Sequence, residues 1–100
     1  VDGLTIGIPL ITSGNLGCTL FFRNTGADAN NIVSISPKNT NKIVGGMTQA
    51  AAVFHASGVL AKDLQNTKAT SKTGDWVALR AVSLTEWYII GGQGIWVSES

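Results

Sequence analysis

Trp76-Val77-Ala78-Leu79-Arg80-Ala81-Val82, the turn Ser83-Leu84-Thr85-Glu86, the return Trp87-Tyr88-Ile89-Ile90, then Gly91-Gly92-Gln93-Gly94 and Ile95-Trp96-Val97 decide how this chain folds. Val77, Leu79 and Ala81 fall on one face of a seven-residue run, which is the period of a strand rather than of a helix. The glycines read as a tight turn between two further strands. The spacing predicts a three-strand antiparallel meander that closes the chain.

Working outward, strand-like pieces recur at short intervals between turn residues. Leu4–Ile8 is closed by Pro9, and Cys18–Arg23 ends at Asn24-Thr25-Gly26. Ile32–Ser36 runs into Pro37, which has no N–H for a sheet ladder, and Lys42–Val44 stops at Gly45-Gly46. Between Met47 and Leu64 two periods compete. Met47, Ala50, Ala51, Phe54 and Gly58 approximate helical spacing, whereas Ala51, Val53 and His55 alternate with Ala52, Phe54 and Ala56. Strand neighbours on both sides favour strands, with Ser57-Gly58 turning into another strand at Val59-Leu60-Ala61.

Composition agrees. A chain of 100 residues and 10.4 kDa has room for one core, so residues 1–100 are expected to form a single domain. It is 44% apolar, enough to fold, and 13% charged, against roughly 25% in an ordinary soluble domain. Gly, Ser, Thr and Asn supply 37 residues (12, 8, 10 and 7), where a helical bundle would carry Glu, Lys, Leu and Arg. The formal net charge of +1 argues against a general polyanion binder. Cys18 is the single cysteine, which excludes an intrachain disulfide framework and a cysteine-based zinc site within one chain. No apolar run approaches the ~20 residues of a membrane-spanning helix; the longest is Ala50–Phe54. The start at Val1, without a methionine or a signal-like segment, gives the expectation of a fragment or processed product, the C-terminal domain of a longer chain.

Catalysis needs a positioned nucleophile, an acid or base, and a group that stabilises developing charge. Cys18 reads as a small buried hydrophobe on a strand. His55, in a run rich in Ala, Val and Phe, reads as a structural or interface histidine, with a ligand or pH-sensitive role as the alternative. On a three-fold axis it would occur three times and could hold an ion. Asp2, Asp28, Asp75, Glu86 and Glu99 fall in turns or at the termini, Asp63 stands apart, and no spacing suggests a facing carboxylate pair. Gly91-Gly92-Gln93-Gly94 leads into a strand, so it does not open a phosphate-binding helix. No catalytic residue, metal or cofactor is expected. All five lysines lie between Lys38 and Lys72, where only Asp63 opposes them. That span contains a single aromatic, Phe54, which suits solvated lysines guarding strand edges better than a nucleic-acid surface. Trp76, Trp87, Tyr88 and Trp96 crowd into 21 residues, either as core and subunit-interface anchors or as a platform for sugar rings.

The segments Asn66-Thr67-Lys68-Ala69-Thr70, Gly74-Asp75-Trp76-Val77-Ala78-Leu79, Glu86-Trp87-Tyr88-Ile89-Ile90 and Gly94-Ile95-Trp96 follow a pattern. It resembles the ending of virion-surface domains of tailed bacteriophages and prophages, found in tail-fibre, head-fibre and capsid-decoration proteins. The likeness is most specific from Asn66 to Trp96 and looser over Thr19–Asn24 and Ile43–Gly46. Where such domains often carry Asp-Gly or Asn-Gly at the hairpin turn, this chain has Ser83-Leu84-Thr85-Glu86. The resemblance implies a small antiparallel β-sandwich or jelly-roll that assembles as a homotrimer, and it does not imply catalysis. It also implies assembly in the host bacterial cytoplasm, residence on the virion, and contact with other virion proteins or a host-surface glycan. Trp76, Trp87, Tyr88, Trp96 and His55 are then the candidate subunit-interface or ligand-platform residues. A carbohydrate-binding module, with Trp87, Tyr88 or Trp96 exposed, is the alternative.

Overall fold

A computed structural model describes residues 4–25, 33–49, 52–55, 59–66 and 70–98, and at 4, 47–49 and 52–55 the backbone alone. The chain is all-β. Its strands are β1 (Leu4–Gly7), β2 (Thr19–Arg23), β3 (Val33–Ser36), β4 (Lys42–Val44), β5 (Gly46–Gln49), β6 (Ala52–His55), β7 (Leu64–Asn66), β8 (Trp76–Ala81), β9 (Glu86–Gln93) and β10 (Trp96–Ser98). They form two four-stranded sheets, β1-β3-β7-β10 and β2-β8-β9-β4, and a separate β5-β6 pair.

Both four-stranded sheets are mixed, which corrects the antiparallel expectation. β1 runs parallel to β3 and β4 parallel to β9, while the remaining pairs are antiparallel. Parallel partners require a crossover. Here β2 lies in the other sheet between β1 and β3, and four strands separate β4 from β9.

The core draws on both sheets. Ile35, Leu64 and Trp96 from the first meet Ile43, Val77, Leu79, Ala81, Trp87 and Ile89 from the second in one buried cluster, and Ile8 and Ile11 join from the loop after β1. Val77, Leu79 and Ala81 point inward, as their alternation predicts. Each fully buried indole contributes roughly 4–6 kcal/mol of apolar burial.

The closing meander is corrected to a hairpin followed by a crossing. β8 and β9 pair, but β10 leaves that sheet and pairs with β7 in the other. Gly91, Gly92 and Gln93 belong to β9, so the turn is confined to Gly94-Ile95. Gly94 sits at φ +100, and a Cβ there would overlap the Asp75 carboxyl. The chain thus bends tightly against Asp75 and delivers Trp96 into the core. Val59-Leu60-Ala61 is a turn rather than a strand, with Ala61 at φ 61 and its N–H bonded to the Asn41 carbonyl. The strand of that region is β7, three residues on. Strands do replace the helical alternative at Gly46–Gln49 and Ala52–His55, whereas Ala50, Ala51 and Ser57-Gly58 lie outside the described residues.

Candidate functional site

The strand directions give the molecule two loop-bearing ends, each organised by a buried asparagine. At one end β2 and β7 finish, β8 begins and β9 passes to β10. Asn66 stands at its centre with no exposure. Its side-chain oxygen accepts from Asn24 Nδ2 at 2.7 Å, and its Nδ2 donates to Asp75 Oδ2 at 3.1 Å and to the Ile95 carbonyl at 3.0 Å. Asp75 Oδ2 also accepts from the Lys72 N–H at 2.9 Å. Backbone bonds from Asn24 N–H to the Asp75 carbonyl and from Gly74 N–H to the Asn24 carbonyl close the knot. Asp75 is therefore a structural carboxylate, held by hydrogen bonds and covered by Gly94.

At the other end Asn41, also fully buried, holds four segments together. Its Oδ1 accepts from the Ile11 N–H at 3.0 Å, and its Nδ2 donates to the Leu84 carbonyl at 3.1 Å. Its backbone bonds the Lys38 carbonyl and the Ala61 N–H. The loops gathered here carry Leu10, Val59, Leu60 and Leu84, with Leu16 and Val82 flanking the backbone pair between Gly17 and Ala81. Their side chains are 46–57% exposed. Six aliphatic side chains at one end are more than a scatter of surface leucines.

A second apolar surface lies on the outer face of the β2-β8-β9-β4 sheet. Phe21 on β2 stacks on Trp76 of β8, with ring centroids 5.2 Å apart and planes 17° from parallel. The Trp76 ring lies over Gly91, where a Cβ would come within 3.2 Å of the indole edge. Phe21 is 61% exposed and Tyr88, on β9, 45%. Ile90, the extra residue of a β-bulge that sets Ala78 opposite Gly91 and Leu79 opposite Ile89, is exposed beside them. Arg23 stands opposite Trp76, and Arg80 lies between Thr19 and Tyr88, its Nε donating to Thr19 Oγ1 at 3.1 Å. At the sheet edge Lys42 pairs with Glu86 at 3.6 Å.

The sequence-derived candidates therefore separate. Trp87 and Trp96 are 0% exposed, which corrects any reading of them as a platform; they are core residues. Trp96 Nε1 donates to the Gln93 carbonyl at 3.0 Å, whereas the buried Trp87 Nε1 has no partner among the described residues. Trp76 and Tyr88 share the outer face, joined by Phe21, Arg23 and Arg80, which the sequence reading passed over. The alternation of Thr19, Phe21 and Arg23 on β2 was the available signal. His55 lies opposite Gly46 on the β5-β6 pair, and its side chain lies outside the described residues.

Cys18 is corrected as well: it is exposed and precedes β2, where its N–H closes a turn on the Asn15 carbonyl and its carbonyl accepts from the Ala81 N–H. Asp2, Asp28, Glu99 and Lys68 lie outside the described residues. Of the described lysines, Lys38, Lys42 and Lys62 lie in or next to the segments tied to Asn41, with Lys42 paired to Glu86, and Lys72 lies at the Asn66 end. Among the described residues no three His, Cys, Asp or Glu side chains group as a metal site. Comparison of the chain with protein-family models, with curated proteins and with solved structures found no match.

Proposed function

We propose that this chain is a non-enzymatic structural domain of a tailed-phage or prophage virion, belonging to a fibre, spike or capsid-decoration protein. In this reading the two sheets form a jelly-roll-like β-sandwich, three copies associate, and the trimer attaches to the capsid or to the host surface. The aliphatic end carried by Leu10, Leu16, Val59, Leu60, Val82 and Leu84 is the observation that bears most weight. A domain this small buries a limited share of its unfolded surface alone, and a copy seated on that end would cover what the monomer leaves wet. The number three comes from the resemblance. The residues that carry it also form a coherent unit, because Asn66, Gly74, Asp75 and Gly94 meet in one buried knot beside Trp96.

The test is the double substitution Leu60→Asp with Leu84→Asp at two half-exposed positions. It should convert trimers to monomers by light scattering, with a lower and concentration-independent melting temperature but an unchanged strand signal by circular dichroism. An unchanged oligomer would place the contact elsewhere and remove this support.

The alternative, a carbohydrate-binding module, is favoured by the Phe21–Trp76 stack and by Tyr88, opposite Arg80 further along the same open sheet face. It predicts a monomer that binds glycans. In the leading reading the same face is the attachment surface of an assembled particle protein.

A further inference from the structure

The outer face of the β2-β8-β9-β4 sheet combines ring surface with positive charge. Arg23 and Arg80 are the only two arginines of the chain, and both are exposed on this face, one at each end of the aromatic row. Four residues of β8 separate their positions, roughly 13 Å along the strand. Among the described residues the carboxylate on this face is Glu86, at the edge and engaged by Lys42. Two guanidiniums thus flank Phe21, Trp76 and Tyr88 without a free acid between them.

We propose that this face binds a carboxylated polysaccharide, with sugar rings against Phe21, Trp76 and Tyr88 and carboxylates held by Arg23 and Arg80. The guanidinium fork matches a carboxylate in two parallel hydrogen bonds, which a neutral sugar cannot return. Single-stranded nucleic acid would also stack on these rings, but it brings a phosphate at every nucleotide and needs a dense cationic track. Two widely spaced arginines suit a polymer with carboxylates on non-adjacent sugars. Weak binding per copy is strengthened where several copies engage one chain. The inference rests on the attachment half of the proposed function.

Trp87 and Trp96 are shielded, so a ligand-induced change in tryptophan emission reports on Trp76. The whole chain is titrated with polygalacturonate, alginate and polysialate, with dextran as the uncharged control and oligo-dT as the nucleic-acid control. The expected result is a saturable change with at least one acidic polysaccharide, weakened by added salt, and a response to dextran at least tenfold weaker. Arg23→Gln with Arg80→Gln should weaken that binding at least tenfold while leaving the melting temperature in place, and Phe21→Ser should weaken it independently. No response to all three acids, equal binding of dextran, tighter binding of oligo-dT, or full binding by the arginine variant would each overturn the proposal. The light-scattering mass of the same sample keeps the two readings apart. Monomers that bind the acidic glycans overturn the assembly alone, and trimers that ignore all three overturn this site alone.

Discussion

Asn66 shows how much one amide can organise. It exchanges hydrogen bonds with Asn24, 42 positions earlier, with Asp75 and with the Ile95 carbonyl, and is fully buried while doing so. Truncating it removes three side-chain hydrogen bonds at the buried end, each worth about 1 kcal/mol or more. Asn66→Ala should therefore destabilise the domain by about 3 kcal/mol or more, read as a fall in Tm of ten degrees or more by calorimetry at ~4–8 °C per kcal/mol. Gly94→Ala should be comparably damaging, since its Cβ collides with Asp75 at a left-handed φ, and the two effects should fall short of additive because they break one knot. Gly7→Ala, with open space around its Cβ, is the matched control and should change Tm little. The buried indoles differ in the same way. Trp87→Phe removes a donor with no partner among the described residues and Trp96→Phe removes a bonded one, so in chemical denaturation the first should cost roughly 1–2 kcal/mol less than the second. None of this was legible in the residue types, because Asn, Asp and Gly read as ordinary turn residues until the partners that bury them are known.

At the scale of the element, local chemistry carried most of the reading. The alternation of Val77, Leu79 and Ala81 gave the inner face of β8, and the breaks after β1 and β3 follow Pro9 and Pro37. Choices between non-local partners were not legible. β10 was expected beside β9 because the two are adjacent in sequence, yet Gly94 turns against Asp75 and sends Trp96 to β7. Val59–Ala61 has strand composition, but the bond from Ala61 N–H to Asn41 makes it a turn. β7 escaped notice because three residues, Leu64–Asn66, are too few to show a period. The aromatic cluster was legible as a cluster, and the alternation of β8 puts Trp76 on the outer face, whereas the side taken by Trp96 depends on the crossing of β10 to β7. Iodide quenching should consequently reach one of the three tryptophans, and Trp76→Phe should abolish the quenchable fraction while leaving the two shielded indoles emitting. Two or three quenchable tryptophans would contradict the placement of Trp87 and Trp96.

For the whole molecule, the two ends and the outer sheet face divide the labour. Asn66 and its partners lock one end with a polar knot, Asn41 gathers loops at the other, and those loops present aliphatic side chains to water. Single-chain composition foretold an apolar, weakly charged surface but not its concentration at one end, which depends on four loops meeting through one asparagine. In the proposed assembly that end meets other copies and leaves the arginine-flanked aromatic face free for attachment. The most direct test of this account is the solution mass of the wild-type chain by light scattering over a concentration series. The account predicts about three times the 10.4 kDa of one chain, holding as the protein is diluted. A mass of one chain at every concentration, with the leucine-rich end left in solvent, would contradict it.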